Sequence, residues 1–373
     1  MSFRKRNAVI RDTAGRTSRN IDKSLSPGLR PSPLDGRLTT STGTASLDQL
    51  LTGHWGMPLG SSLLIEEPGT TDFGGAVLRY FAAEGLVQGH EVHVLGFGNT
   101  WRQELPGLSN QEQANSQAEH LPPSRMKIAW RYGALGNPET RPAAEITPQL
   151  PEILRSPGSF CHNFEMSKRL ESRDIRGRLV TYPLHGISNH ESACHFSSFI
   201  TQLRVKLNGS PSTVYRVIVP SILSPSLYAP EACRPQEVLR FLHVLRSMLR
   251  QYSTRLTAMV TLPTSLHPRN TGICKWMELF FDGVIELVPI PKPMQHVGNS
   301  DREDKSQGLV RIHAMPVFHD KGGGVEGCWT GMDMAFRLSP SSGLQIFPFS
   351  LPPIGLHEST SSKVPSNTLK LEF

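Results

Sequence analysis

The 373-residue sequence is short of three things, and each absence excludes a class of function. Cysteine is sparse: Cys161, Cys194, Cys233, Cys274 and Cys328 lie far apart, with no Cys-x-x-Cys pair. A zinc site built on paired thiolates is therefore excluded. His185, His190, Cys194 and His195 come nearest to a metal cluster, but their order matches no zinc spacing, and no metal site is expected. Scattered thiols suit the reducing cytosol or nucleus. Long apolar runs are also missing. None reaches the ~20 residues of a membrane span, and the N-terminus has no apolar signal core. The third absence is local. No lysine occurs between Ser61 and Arg125.

What is present is a hydrophobic fraction of 38%, enough for a buried core, and a formal charge of +7. The charge is uneven. Residues 1–30 hold Arg4, Lys5, Arg6, Arg11, Arg16, Arg19, Lys23 and Arg30 against Asp12 and Asp22, so most of the excess belongs to this segment. Rich in Ser, Arg and Gly, residues 1–33 read as a disordered basic tail.

The stretch from Gly43 to Gly85 organises the rest. An amphipathic lead-in, Ser46 to Leu51, precedes Gly53 and a Gly/Pro turn. Ser62-Leu63-Leu64-Ile65 then reads as a buried strand. A loop from Glu66 to Thr71 leads into a helix with Asp72 as N-cap. Phe73, Val77, Tyr80 and Phe81 would form its apolar face, and Gly85 its stop. Strand, Gly-containing loop and helix make the geometry of a phosphate-binding loop. Its chemistry is incomplete. GxxxxGK[ST] needs a Lys for the terminal phosphates, and the missing lysine means that no shift of register supplies one. Glu66, Glu67 and Asp72 would repel a triphosphate.

Further along, Glu91 to Gly96 reads as the next strand, in a βαβ unit paired in parallel with the first. Residues 108–124, 133–158 and 291–307 read as mobile inserts. Met126 to Tyr132 mixes bases with aromatics and reads either as a packed Trp and Tyr or as a nucleic-acid contact. Phe160 to Leu170 is a second ordered block, and residues 171–178 a charged turn. Ala193 to Leu207 and Pro235 to Tyr252 have helical spacing. Val214–Val219 and Leu256–Leu262 are continuous apolar strands of a covered parallel sheet. Where an ATPase strand would end in a magnesium-holding Asp, the first of these runs into Pro220-Ser221. No carboxylate occurs after it until Glu231. Phe281–Val288, Gly308–Phe318, Met332–Leu338 and Leu344–Ile346 read as further strands, the third an antiparallel partner of the second. Residues 356–373 read as a loose tail.

The lead-in at Gly43, Leu47-Asp48, Leu50-Leu51 and Gly53, with Pro58, Gly60-Ser61 and Ala83-Glu84-Gly85, resembles the RecA/KaiC-like ATPases. The expected fold class is therefore α/β: a RecA-like, mainly parallel twisted sheet flanked by helices, with antiparallel C-terminal strands, over residues 34–355. Blocks along the chain carry a more specific likeness. They are Arg30–Gly36, Thr39–Asp48, Leu63–Gly75, Lys127–Tyr132, Phe160–Leu170, Val217–Pro225, Phe281–Pro291, Gly308–Gly324 and Ala335–Pro352. With them the sequence resembles the PAXNEB family, the Elongator complex protein 4 family.

That resemblance implies a RecA-like subunit without intact nucleotide motifs and without catalytic residues of its own. It implies a hetero-hexameric ring of six with Elongator proteins 5 and 6, attached to the catalytic Elongator lobe and binding tRNA. The complex begins modification of the wobble uridine (U34), on the pathway to 5-methoxycarbonylmethyl- and carbamoylmethyl-uridine, in cytoplasm and nucleus. No resident cofactor is implied, and ATP at subunit interfaces is the one candidate. Gly69, Thr70, Thr71 and Asp72 are then the remnant phosphate loop, and Lys127, Arg131, Lys168 and Arg169 the candidate tRNA contacts. The alternative is a nucleotide hydrolase active only in the assembled ring, controlling tRNA release, with the missing cation supplied by a neighbour.

Overall fold

A computed structural model describes residues 26–51, 54–109, 159–184, 195–290, 306–316, 334–340 and 343–349. The described chain opens with β1 (Leu29–Pro31), β2 (Leu38–Thr40), α1 (Ala45–Leu50) and β3 (Met57–Pro58), the three strands forming a small antiparallel sheet. The segment expected to be tail through residue 33 thus enters the fold at Leu29, which is buried. Next come β4 (Ser62–Glu67), α2 (Phe73–Gln88), β5 (Glu91–Gly96), a 3-10 turn (Asn99–Glu104), β6 (Pro106–Leu108) and β7 (Phe164–Arg169). After these come β8 (Arg178–Pro183), α3 (His195–Gly209), β9 (Tyr215–Val219), α4 (Pro235–Gln251), β10 (Leu256–Pro263), α5 (Gly272–Glu278) and β11 (Gly283–Pro289). Three strands close the described chain: β12 (Gly308–Ala314), β13 (Met334–Ser339) and β14 (Gly343–Pro348).

Nine strands form one sheet in the order β14-β13-β12-β11-β4-β10-β9-β5-β8. From β11 to β8 every neighbouring pair is parallel, and β12, β13 and β14 add on antiparallel. This is the RecA-like architecture that the motifs imply. The strand pairing and the extent of one strand differ from expectation. The strands β4 and β5 run parallel but do not pair, because β10 and β9 lie between them. Arg178, expected to close a charged turn, instead begins the edge strand β8, which runs to Pro183.

The apolar strands are continuous because both faces of the sheet are covered. Along β4, Leu63 and Ile65 join α1 and α2 in one core, while Leu64 joins α3, α4 and α5 in the other. The same alternation divides β9, where Ile218 faces α2 and Tyr215, Val217 and Val219 face the opposite helices. Each such side chain, fully buried, stabilises the fold by roughly 1.5–3 kcal/mol. Because α2 is covered nearly all round, its apolar residues do not keep to one face.

Gly85 does not stop α2. The helix runs on to Gln88 and ends at Gly89, which has φ +88°. What Gly85 provides is room: a β-carbon there would lie 2.6 Å from Arg216 Cδ. Arg216 is wholly buried in mid-sheet on β9. Its guanidinium donates to His90 Nδ1 (3.1 Å), to the Ser41 and Phe81 carbonyls (2.9 Å each) and to Thr40 Oγ1 (2.7 Å). Those bonds tie the N-terminal segment to the central sheet and satisfy most of a cation that burial would otherwise penalise heavily.

Candidate nucleotide site

At the carboxyl end of β4 the chain turns through Pro68 and Gly69, which has φ +105°, and enters α2 at Phe73. A helix start leaves backbone N–H groups without partners and carries a partial positive charge, so it suits an anion. Here the anion is part of the chain. Glu67 Oε1 accepts the Phe73 N–H (2.8 Å) and the Thr71 hydroxyl (2.6 Å), and Glu67 Oε2 accepts the Gly74 N–H (2.9 Å). The residue is only 8% exposed, so its carboxylate plugs the helix end rather than lying over it. Burial pushes its pKa up, against the pull of the bonds from Thr71, Gly74 and Phe73. At Gly74 a β-carbon would lie 3.1 Å from Glu67 Oε2, so a small residue lets the carboxylate reach the helix.

The four residues expected to form the remnant phosphate loop are brought together here. Gly69 makes the turn and accepts a bond from Ser265 Oγ (3.3 Å). Thr70 is exposed. Thr71 spends its hydroxyl on Glu67. Asp72 stands at the N-cap position, yet its side chain caps no backbone N–H and pairs instead with Arg79 Nη2 (2.9 Å). Capping has passed from Asp72 to Glu67, at the end of the preceding strand.

The neighbouring carboxyl has a different environment. Glu66 points to the opposite face and is completely buried. Arg269 Nε lies 2.8 Å from Glu66 Oε2, but the Arg269 fork is directed at Glu278, through Nε (3.0 Å) and Nη2 (2.9 Å). Neither Glu66 oxygen accepts an aligned hydrogen bond. Across the sheet, Glu286 pairs in register with Glu66 and meets His313 Nε2 at 3.1 Å. Burial first, then the charge of Glu278, pushes the Glu66 pKa up to about 8, while Arg269 opposes. Burial thus favours the protonated form of Glu66, against the pull of Arg269.

Where a magnesium-binding carboxylate would stand, β9 runs into Pro220 and Ser221. The Ser221 N–H donates to Thr261 Oγ1 (2.7 Å), and the Pro220 carbonyl accepts the Tyr228 hydroxyl (2.8 Å). Among the described residues no group of three His, Cys, Asp or Glu could hold a metal ion.

The candidate tRNA contacts are not gathered at this site. Lys168 and Arg169 are exposed on β7. Lys168 pairs with Glu165 (2.7 Å), and Arg169 donates to the Glu104 carbonyl (3.3 Å). Lys127 and Arg131 lie outside the described residues. The residue that sequence reasoning missed is Glu67 as a cap. Its signal was present: an acidic residue at the end of the strand, one tight turn before the first free amides of a helix that lacks the loop lysine.

The sequence model of the PAXNEB protein family matches residues 22–371. Elongator complex protein 4 of Schizosaccharomyces pombe is 33% identical over 313 residues, covering 79% of this chain and 80% of that protein. Elongator complex protein 4 of Saccharomyces cerevisiae is 28% identical over 355 residues, covering 82% and 73%. Elongator complex protein 4 of Homo sapiens is 28% identical over 324 residues, covering 78% and 72%. Among solved structures, a KaiC-like protein from Pyrococcus horikoshii OT3 superposes with a TM-score of 0.42 at 13% identity. The match covers 83% of this chain and 99% of that one.

Proposed function

The chain belongs to the PAXNEB family of Elongator subunits, and from that premise we propose that it is a non-catalytic member of the complex whose phosphate loop is closed by its own Glu67. Its work is assembly: a ring of six with Elongator proteins 5 and 6 that attaches to the catalytic lobe, holds tRNA and supports modification of wobble uridine U34, in cytoplasm and nucleus. One observation carries the non-catalytic part. The first two free amides of α2 and the Thr71 hydroxyl are already spent on the Glu67 carboxylate. A β- or γ-phosphate would have to expel that group with no lysine to compensate. The place of the magnesium carboxylate is likewise taken by Pro220 and Ser221.

The same observation weighs against ring-dependent hydrolysis at this loop. A neighbouring subunit can lend a cation, but it cannot vacate the helix end. RecA-like domains with exposed sheet edges suit symmetric neighbour contacts, and a tRNA grip built on phosphate contacts would weaken steeply with salt.

The test is reconstitution of the chain with Elongator proteins 5 and 6. Native and Thr71→Ala rings should bind tRNA alike and show no ATP turnover that depends on this loop. ATP hydrolysis by the isolated chain would overturn the non-catalytic reading. A chain that stays monomeric beside both partners and ignores tRNA would overturn the rest.

A further inference from the structure

The helices that cover one face of the sheet turn an unusual surface outward. Along α5, Cys274 and Met277 are buried against the core, so the other side of the helix presents Lys275, Trp276 and the capping Leu279 to solvent. Trp276 is 61% and Leu279 67% exposed. Residues three apart on a helix share a face, so the two form one apolar strip. Leu266, on the connection just before α5, is 55% exposed as well. Apolar side chains scattered singly over a surface need no explanation, but grouped ones mark an interaction site.

The rim of this strip is cationic. Helix α4 packs beside α5: Arg246 Nη1 donates to the Leu279 carbonyl (2.6 Å), and the His243 ring meets the Phe280 ring edge-on at 6.0 Å. The outward stripe of α4 continues through Arg240, one turn before His243. Arg240 and Lys275 are exposed, and among the described residues neither makes an ion pair. On α3, α4 and α5 together, Arg204, Lys206, Arg240, Arg246, Arg250 and Lys275 stand against Glu237 and Glu278. The Arg269 fork already holds Glu278. A second basic region, distinct from the N-terminal segment, therefore lies within the fold.

The combination selects its occupant. A second copy of this chain applying the same patch would set cation against cation. A nucleic-acid strand would find phosphate contacts, but leucines offer no face on which a base stacks. A protein segment satisfies both parts, with apolar side chains for Trp276 and Leu279 and carboxylates for Arg240 and Lys275. Tryptophan and arginine are the residues that dominate protein contacts, and complementary charge fixes the partner. We propose that the α4–α5 face docks an acidic, amphipathic segment of another Elongator subunit. That the partner is an Elongator subunit rests on the assembly reading; its acidic and apolar chemistry is read from the patch.

The test places the photo-crosslinking residue benzoylphenylalanine at position 276 of the full-length chain. The chain is assembled with Elongator proteins 5 and 6, the catalytic lobe and tRNA, irradiated, and the products are mapped by mass spectrometry. The expected product joins position 276 to a partner-subunit segment that carries apolar residues and more Asp and Glu than Lys and Arg. Arg240→Glu with Lys275→Glu in the same chain should cut the yield about tenfold, the effect of reversed charges at an interface rim. Both side chains are exposed, so the melting temperature should not move; Arg240→Gln with Lys275→Gln, a milder change, should give an intermediate yield. A cross-link to tRNA, to a second copy of this chain or to a basic segment overturns the proposal. So does a yield that charge reversal leaves unchanged in a folded chain. A chain that assembles yet gives no cross-link sinks this inference alone, whereas a native chain that joins none of these proteins sinks the subunit role and the inference together.

Discussion

Glu66 and Glu67 are neighbours on one strand, both buried and both pushed up by burial, yet they meet different partners. Glu67 meets a helix end. Two backbone N–H groups and a hydroxyl reach it with normal geometry, and the helix dipole favours its charge. Glu66 meets side chains. Arg269 comes close, yet its fork is spent on Glu278, and a third carboxyl, Glu286, stands beside it in register. Backbone donors are fixed in place by the helix and cannot be drawn elsewhere. Side-chain donors are shared, and the least favoured acceptor keeps its proton. The contrast teaches that burial alone does not decide the state of a carboxyl. What decides it is whether the donors facing it are already committed elsewhere.

The largest break in that contrast should come from Glu67→Ala. It strips one acceptor from each of three donors and leaves two helix-start amides unpaired. The expected loss is about 2–4 kcal/mol of stability, read as a lowered urea midpoint with unchanged slope. Glu67→Gln keeps one acceptor oxygen and should lose roughly half as much. If both variants melt with the native chain, the carboxylate is not the cap.

The next effect is in the pH profile. The Glu66 pKa is raised to about 8 in the fold, from an ordinary carboxylate value near 4.5. Between those values the folded chain holds a proton that the unfolded chain has released. Stability therefore falls as pH rises through that window. Glu66→Gln is neutral at every pH and should flatten the fall between about pH 4.5 and pH 8, while altering stability at the acid end of that window by less than about 1 kcal/mol. A native chain with no loss of stability between about pH 4.5 and pH 8 in urea titrations would contradict the raised pKa of Glu66.

On the acid side His90 should act in the opposite sense. Burial and the adjacent Arg216 cation hold its pKa down to about 3. The unfolded chain gains this proton below pH ~6.5, so stability falls as pH drops from there toward 3. Asp48 carries a smaller term of the other sign, since burial pushes it up to about 6 and its proton favours the fold below that. His90→Gln should reduce the acid loss measured by thermal melts from pH 6.5 to pH 4. The smallest effect belongs to Asp72→Ala. Asp72 is largely exposed in its pair with Arg79, and pairs with one side so open to water contribute about 0–1 kcal/mol. A cost as large as that of Glu67→Ala would return the capping role to Asp72.

Much of the architecture was legible. Continuous apolar strands at Leu63–Ile65, Tyr215–Val219 and Leu256–Leu262 could only lie in a sheet covered on both faces. The amphipathic spacing of α4 and the alternation of β12 and β13 were equally plain. The missing lysine and the missing carboxylate after Val219 were plain in the sequence as well. Less legible was β8, an edge strand half open to solvent. Without two covered faces it lacks the apolar run that marks its neighbours. Nor did spacing show that β9 and β10 insert between β4 and β5, because strand order is set by helix packing on the two faces and not by distance along the chain.

At the candidate site, composition announced three carboxyls in a loop that should hold a phosphate, and repulsion was the natural conclusion. That conclusion concerns charge, which residues carry wherever they go. The capping role of Glu67, the crowded surroundings of Glu66 and the room that Gly85 leaves for Arg216 concern distance and direction. Residue types along the chain determined the sheet, its covered faces and the absence of the loop lysine, because hydrophobic periodicity and missing charges are properties of the sequence itself. Only the folded chain decided which carboxyl met the helix end, since a hydrogen bond exists only where a donor within reach points at its acceptor.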